Sequence, residues 1–203
     1  MSTENITALN ELLALWKAAH EKEEESSCQR TFPKSSVGTP DFKTFRKSFC
    51  PDGYLSESYN NVLIICRESN VSGNEVMGEF SDTFAMQKKG ENMNVYFTFI
   101  KKALKKANKP DSVEEVKKCA YMNLNKRGGY GTTNHHRLAN YVKLYEPFIK
   151  KEIELLSPEI IICGGTYNTV KDWLPENATV LDCYHPSARS GFYCKKIHKP
   201  KQS

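Results

Sequence analysis

Three short apolar runs limit what this chain can fold into more than any other feature. They are Val62-Leu63-Ile64-Ile65-Cys66, Glu159-Ile160-Ile161-Ile162-Cys163 and Ala178-Thr179-Val180-Leu181-Asp182-Cys183. The first two are unbroken and rich in β-branched residues, without the alternation of a half-exposed strand. Strands of that kind are covered on both faces, which is the habit of parallel sheets. Cys119-Ala120-Tyr121-Met122 reads as another, following a helical turn near residues 113–117. Between the runs lie segments with helical spacing. Residues 94–108 place Val95, Phe97, Phe99, Ile100 and Leu104 inward and lysines outward. Residues 138–156 form the strongest helix, ended by Pro158, and a short helix runs to Trp173. Strand and helix in alternation predict an α/β chain, a three-layer α/β/α sandwich around a four-stranded parallel sheet.

The amino-terminal part reads differently. Ile6, Leu9, Leu12, Leu13, Leu15 and Trp16 keep helical spacing over residues 5–25, with Glu21 to Glu25 as a solvated end. Residues 26–40 are rich in Ser, Thr, Gly and Pro and predict an irregular connection. Phe42, Phe45 and Phe49 make a short apolar face, and Cys50-Pro51-Asp52-Gly53 is a turn signal. The expected organisation is an extension, 1–56, packed on an α/β domain, 57–203, that ends in a basic tail.

No apolar run approaches membrane-spanning length, and Met1-Ser2-Thr3-Glu4-Asn5 lacks the regions of a signal peptide. A cytoplasmic monomer is expected, nucleoid-associated if the source is bacterial, with no membrane contact. The seven cysteines are scattered and include no Cys-x-x-Cys pair, so neither metal nor disulfide framework is indicated. His135-His136 reads as a polar loop with no third ligand spaced to join it. No cofactor is expected. Positive charge collects in two places. Residues 101–127 hold nine basic residues against Asp111, Glu114 and Glu115, and from Pro186 onward there are Arg189, Lys195, Lys196, Lys199 and Lys201 with no acid. Charge gathered in this way suits phosphate contact and equally suits a solvated surface.

Each run ends in polar residues or glycine: Glu68-Ser69-Asn70, then Asn123 and Asn125, then Gly164-Gly165, then Tyr184-His185-Pro186-Ser187. Pro186 stops its strand, and Ser187 can fix the turn that presents His185. Ligands of open α/β sheets collect at the carboxyl ends of strands. A carboxylate, an amide and an imidazole brought there form a candidate site. Gly164-Gly165 lacks the spacing of a phosphate-cradling loop, and close helix-to-strand packing is the preferred explanation.

In this order the motifs resemble the uracil-DNA glycosylase superfamily, especially its Gly-Glu-x-Pro-Gly branch, from about Val62 to Ser190. Arg67-Glu68-Ser69 after the first run looks like that branch's first motif. Asn123-Leu124-Asn125-Lys126 is similar to its Asn-x-x-Lys. Pro147-Phe148-Ile149 through Pro158 to Gly164 looks like its Pro-Phe-Leu helix, strand and glycine. His185-Pro186-Ser187 is similar to its last motif. Arg67 stands where the branch has Gly, and Asn70-Val71 where it has Pro-Gly. Its iron–sulfur cysteines have no counterpart, because Arg127-Gly128-Gly129 and Tyr145-Glu146 occupy those places.

The resemblance implies a monofunctional DNA glycosylase of base excision repair, a hydrolase acting on uracil or a related base flipped from DNA. Glu68 would orient water and favour the cationic sugar, and His185 would stabilise the departing base. Asn123 would read the base edge, and Phe80, with Phe84 second, would stack on it. Ser69, Asn70 and Ser187 are further substrate contacts, with Asn125 an alternative to Asn123. Lys126, Arg127, Arg189, Lys195 and Lys196 would hold DNA, and residues 188–193 have the composition of a wedge. The rivals are a catalytically silent nucleic-acid or nucleotide-binding protein on the same fold, and a glycosylase for another modified base.

Overall fold

The computed structural model describes residues 1–31, 42–50, 58–70, 95–129, 133–188 and 191–200; at 44, 69, 70, 128 and 129 the backbone alone is described. The chain is α/β. In order it forms α1 (Thr3–Lys22), α2 (Glu25–Thr31), α3 (Phe42–Lys47), β1 (Val62–Asn70), α4 (Val95–Lys106), α5 (Val113–Lys118), β2 (Ala120–Gly129), α6 (His135–Leu156), β3 (Ile160–Gly164), α7 (Tyr167–Val170), a 3₁₀ turn (Lys171–Trp173), β4 (Thr179–Cys183) and β5 (Cys194–His198). No described helix is long and apolar enough to cross a membrane.

The sheet order is β2-β1-β3-β4-β5, five strands among the described residues rather than the four expected. The first four are parallel, and β5 returns antiparallel to β4. The basic tail therefore contributes an edge strand. It was illegible because Lys195 and Lys196 are both exposed, which breaks the period-two signal, and because a register shift falls at that point.

Alternate residues of the strands feed two cores, one on each face. Leu63, Ile65, Met122, Leu124, Ile161 and Cys163 pack with Leu9 and Trp16 of α1 and with Tyr141, Ile149 and Ile153 of α6. Ile64, Cys66, Tyr121, Ile162, Leu181 and Cys183 pack with Phe97, Ile100 and Leu104 of α4. Helices thus cover both faces, which is why the runs are apolar throughout.

The helices obey local rules with a few departures. Ser2 caps α1, its hydroxyl accepting from the Asn5 N–H at 3.2 Å. Residues 26–31, expected to be irregular, belong to α2, which buries Cys28 and Thr31. His135 and His136 open α6 instead of lying in a loop, because Asn134 accepts from the Arg137 N–H and begins the helix there. Pro147 lies inside α6 and lacks the N–H that would bond one turn back; Tyr145, just before it, leaves helical geometry at φ −105°.

Both β1 and β2 continue past their apolar stretches into the polar residues, in register Cys66↔Asn123, Glu68↔Asn125 and Asn70↔Gly129. These polar residues, expected just beyond strand ends, are strand residues. Their placement is therefore set by the sheet rather than by loops.

Candidate active site

The chain leaves β1 toward β2 on one side and returns through α6 to β3 on the other. The crevice at the carboxyl ends of β1 and β3 is thus the point where the winding reverses, the usual ligand position in such sheets. Arg67 and Glu68, adjacent on β1, reach away from each other there.

Glu68 faces β2. Its Oε2 accepts from Asn125 Nδ2 at 3.1 Å. Asn125 Oδ1 accepts from the Arg127 N–H at 2.9 Å, which fixes which end of the amide is turned toward the carboxylate. Burial pushes the Glu68 carboxyl above its usual value, opposed by hydrogen bonds from Asn125 and Thr133 and by the charges of Arg67 and Arg137. Such a carboxylate is held in one position and is more basic than a free one.

Arg67 faces β3. Its Nε donates to the Gly165 carbonyl at 3.2 Å. Gly165 has φ +72°, and a Cβ there would lie 2.6 Å from Arg67 Nη2. A Cβ on Gly164 would lie 2.8 Å from Cys66 Sγ and 3.1 Å from Pro186 Cδ. The Gly-Gly pair is therefore explained by the close approach of Arg67, Cys66 and Pro186. Helix-to-strand packing, the expected explanation, is not what fills this space.

That approach seats the turn after β4. His185 Nδ1 accepts from the Ser187 hydroxyl at 2.7 Å and from the Ser187 N–H at 3.3 Å. A backbone N–H can only donate, so Nδ1 is bare, the hydroxyl donates to it as well, and the neutral ring carries its proton on Nε2. Burial, and then the Arg67 charge, lower the His185 pKa to about 4. The ring is neutral near neutral pH and offers one N–H. The Tyr96 ring meets it edge-on at 6.2 Å and meets Tyr121 at 6.1 Å.

Glu68, His185 and Ser187 therefore gather at one end of the sheet, and Arg67, Asn125, Thr133 and Tyr96 join them. Arg67 was visible only as a departure from a glycine. Tyr96 lay one position off an apolar stripe and gave no separate signal. Asn123, opposite Cys66, is 2% exposed and enclosed. The side chains of Ser69 and Asn70, all of Phe80, Phe84, Arg189 and Ser190, and the loop after Asn70 lie outside the described residues.

Lys126 and Arg127 are corrections. They were expected to face DNA, and both are fully buried. Lys126 Nζ contacts Glu152 Oε2 and the Asn123 carbonyl, each at 3.0 Å, and lies 4.7 Å from the Trp16 ring centre. Arg127 Nη1 meets Glu23 Oε2 at 2.6 Å, and Nη2 donates to the His20 carbonyl. Glu23, expected in a solvated helix end, also accepts from Tyr145 and Ser27. These cations tie α1 and α6 to β2.

The proposed wedge is also partly turned inward. Phe192 packs against Phe99 at 5.5 Å between ring centres, whereas Tyr193 is exposed. Lys195 lies over the Tyr184 ring at 5.0 Å, 3.7 Å from Asp182, and Lys196 is exposed. Comparison with protein-family models, with curated proteins and with solved structures finds no match to this chain.

Proposed function

We propose that this protein is a DNA base glycosylase of the uracil type, hydrolysing the N-glycosidic bond of a base flipped out of DNA. One observation carries the reading: a half-buried, oriented carboxylate and a neutral histidine with an Nε2–H stand at carboxyl ends of parallel strands of one sheet. Bond cleavage leaves positive charge on the sugar and negative charge on the base. Glu68 accepts a proton from water and favours the cationic sugar. The His185 Nε2–H stabilises a base oxygen as it becomes anionic, without having to give up its proton. Arg67, a fixed positive charge between the two, adds to that stabilisation. The described basic residues that remain open to phosphate near the turn are Lys195 and Lys196.

A second reading is a silent nucleic-acid or nucleotide-binding protein, and Arg67 favours it. The guanidinium fills the space beside Gly165 that a glycine at 67 would leave free. Purified protein incubated with oligonucleotides carrying uracil, hypoxanthine or modified pyrimidines, then cleaved in alkali at abasic sites, separates the readings. Strand scission for one base supports the glycosylase. Binding without scission for every base supports the silent protein.

A further inference from the structure

We propose that Cys183 and Cys194 form a reversible disulfide, a redox modification site at the junction of β4 and β5. The two residues are register partners across the antiparallel pair. Antiparallel partners have Cα atoms about 4.5 or 5.5 Å apart, both inside the span of roughly 4.4–6.8 Å that a disulfide needs. Their side chains share one face: Cys183 belongs to the α4-side core, and Cys194 packs against that core. Both are free thiols in the structure. Cys194 also donates to the Lys196 carbonyl at 3.5 Å.

Exposure assigns the order of events. Cys194 is partly open, whereas Cys183 is buried, and its thiol is held protonated chiefly by that burial. The other five cysteines are buried as well. The oxidant is a small-molecule disulfide. The Cys194 thiolate attacks one of its sulfurs, expels one thiolate and becomes a mixed disulfide. Cys183 then loses its proton and attacks Cys194 Sγ, expelling the second small thiol. The protein gives up two protons and two electrons, and one small disulfide becomes two thiols.

The bridge closes the segment 184–193, which begins with Tyr184-His185. The Tyr184 N–H already donates to the Tyr193 carbonyl at 2.9 Å, so closure locks a connection the backbone has made. The modification therefore acts on the base of the turn that presents His185, whether or not the chain is a glycosylase.

The test uses the full folded chain, reduced, freed of reductant and incubated with oxidised glutathione. Remaining thiols are alkylated, and the intact mass and the non-reduced peptides are read. The expected product carries no glutathione, has lost two alkylatable thiols and yields one linked peptide containing Cys183 and Cys194. A thiol reductant reverses it. Cys183→Ser is expected to retain one glutathione on Cys194, since nothing expels it. Retention of all seven thiols by the wild-type protein, a lasting mixed disulfide on it, or linkage through another cysteine overturns the proposal.

Discussion

The Arg67 side chain lies against the backbone of Gly165, with Nε donating to the carbonyl at 3.2 Å and Nη2 where a Cβ would otherwise sit. Position 67 thus uses the room that position 165 leaves. The pairing places a permanent cation beside both titratable residues of the candidate site, since Arg67 acts on Glu68 and on His185.

Removing that cation has a direct readout. In Arg67→Ala the repulsion on an imidazolium at 185 disappears and water gains access. The His185 pKa is expected to rise from about 4 toward the ordinary 6.5. A proton NMR titration of the ring measures it. An unchanged value would mean that burial alone sets the histidine.

Glu68→Gln keeps shape and loses charge. Under the glycosylase reading the single-turnover rate falls about a hundredfold or more while affinity for DNA stays near that of the parent. The parent's pH profile carries the sign of the shift. Activity needs the ionised carboxylate, and burial raises its pKa, so the acid limb lies above the usual carboxylate value of 4.5. A limb at or below that value would remove Glu68 from the rate-limiting chemistry.

Lys126 and Glu152 are buried together at 3.0 Å. Lys126→Met leaves a carboxyl enclosed without its partner and is expected to cost about 3–5 kcal/mol of stability. Lys126→Met with Glu152→Leu removes both members and should recover much of it. Urea unfolding of the two variants measures the difference. If Lys126 instead served DNA, the single variant would flatten the salt dependence of affinity, which its burial argues against.

Acid should unfold the protein early. His20 Nδ1 meets the Ser48 carbonyl at 3.0 Å, and Nε2 meets the Tyr141 hydroxyl at 2.7 Å. The hydroxyl in turn accepts from the Lys126 N–H at 3.2 Å, so a neutral ring donating from Nδ1 satisfies every member. Burial and the Arg127 charge lower the His20 pKa to about 3. The unfolded chain binds a proton at this site near pH 6.5 and the folded chain does not. Stability is therefore complete above 6.5 and lost as pH falls from 6.5 toward 3, by up to about 5 kcal/mol from this group. His20→Gln should flatten that slope in melting curves taken across the range.

The sequence announces the parallel strands because burial on two faces leaves Ile64 and Ile162 no polar neighbours to blur the pattern. It announces Glu68 and His185 because each follows such a run. Partners far along the chain are another matter. Nothing near Arg127 indicates that Glu23 neutralises it, so two buried cations read as a basic patch. Asn125 was legible as a polar candidate, but its duty toward Glu68 follows from strand register alone. The fifth strand was hidden by adjacent lysines at a register shift, and Arg67 by its replacing a glycine.

Under the glycosylase reading, alanine at both Lys195 and Lys196 is expected to weaken binding to any DNA sequence and to lower the salt slope by up to about two. Light scattering should accompany the measurement, for a reason that lies in the sheet.

Among the described residues β5 is an edge strand. Its outer backbone groups are an invitation to any other extended chain, and lysines with a break in register are a common way to refuse it. Cys194-Lys195-Lys196-Ile197-His198 carries both devices. The two lysines are thus of the kind that keeps such strands from pairing with copies of themselves, whatever else they touch. Stripped of them, the strand would offer a template to its own copies, and the concentration of usable protein would fall.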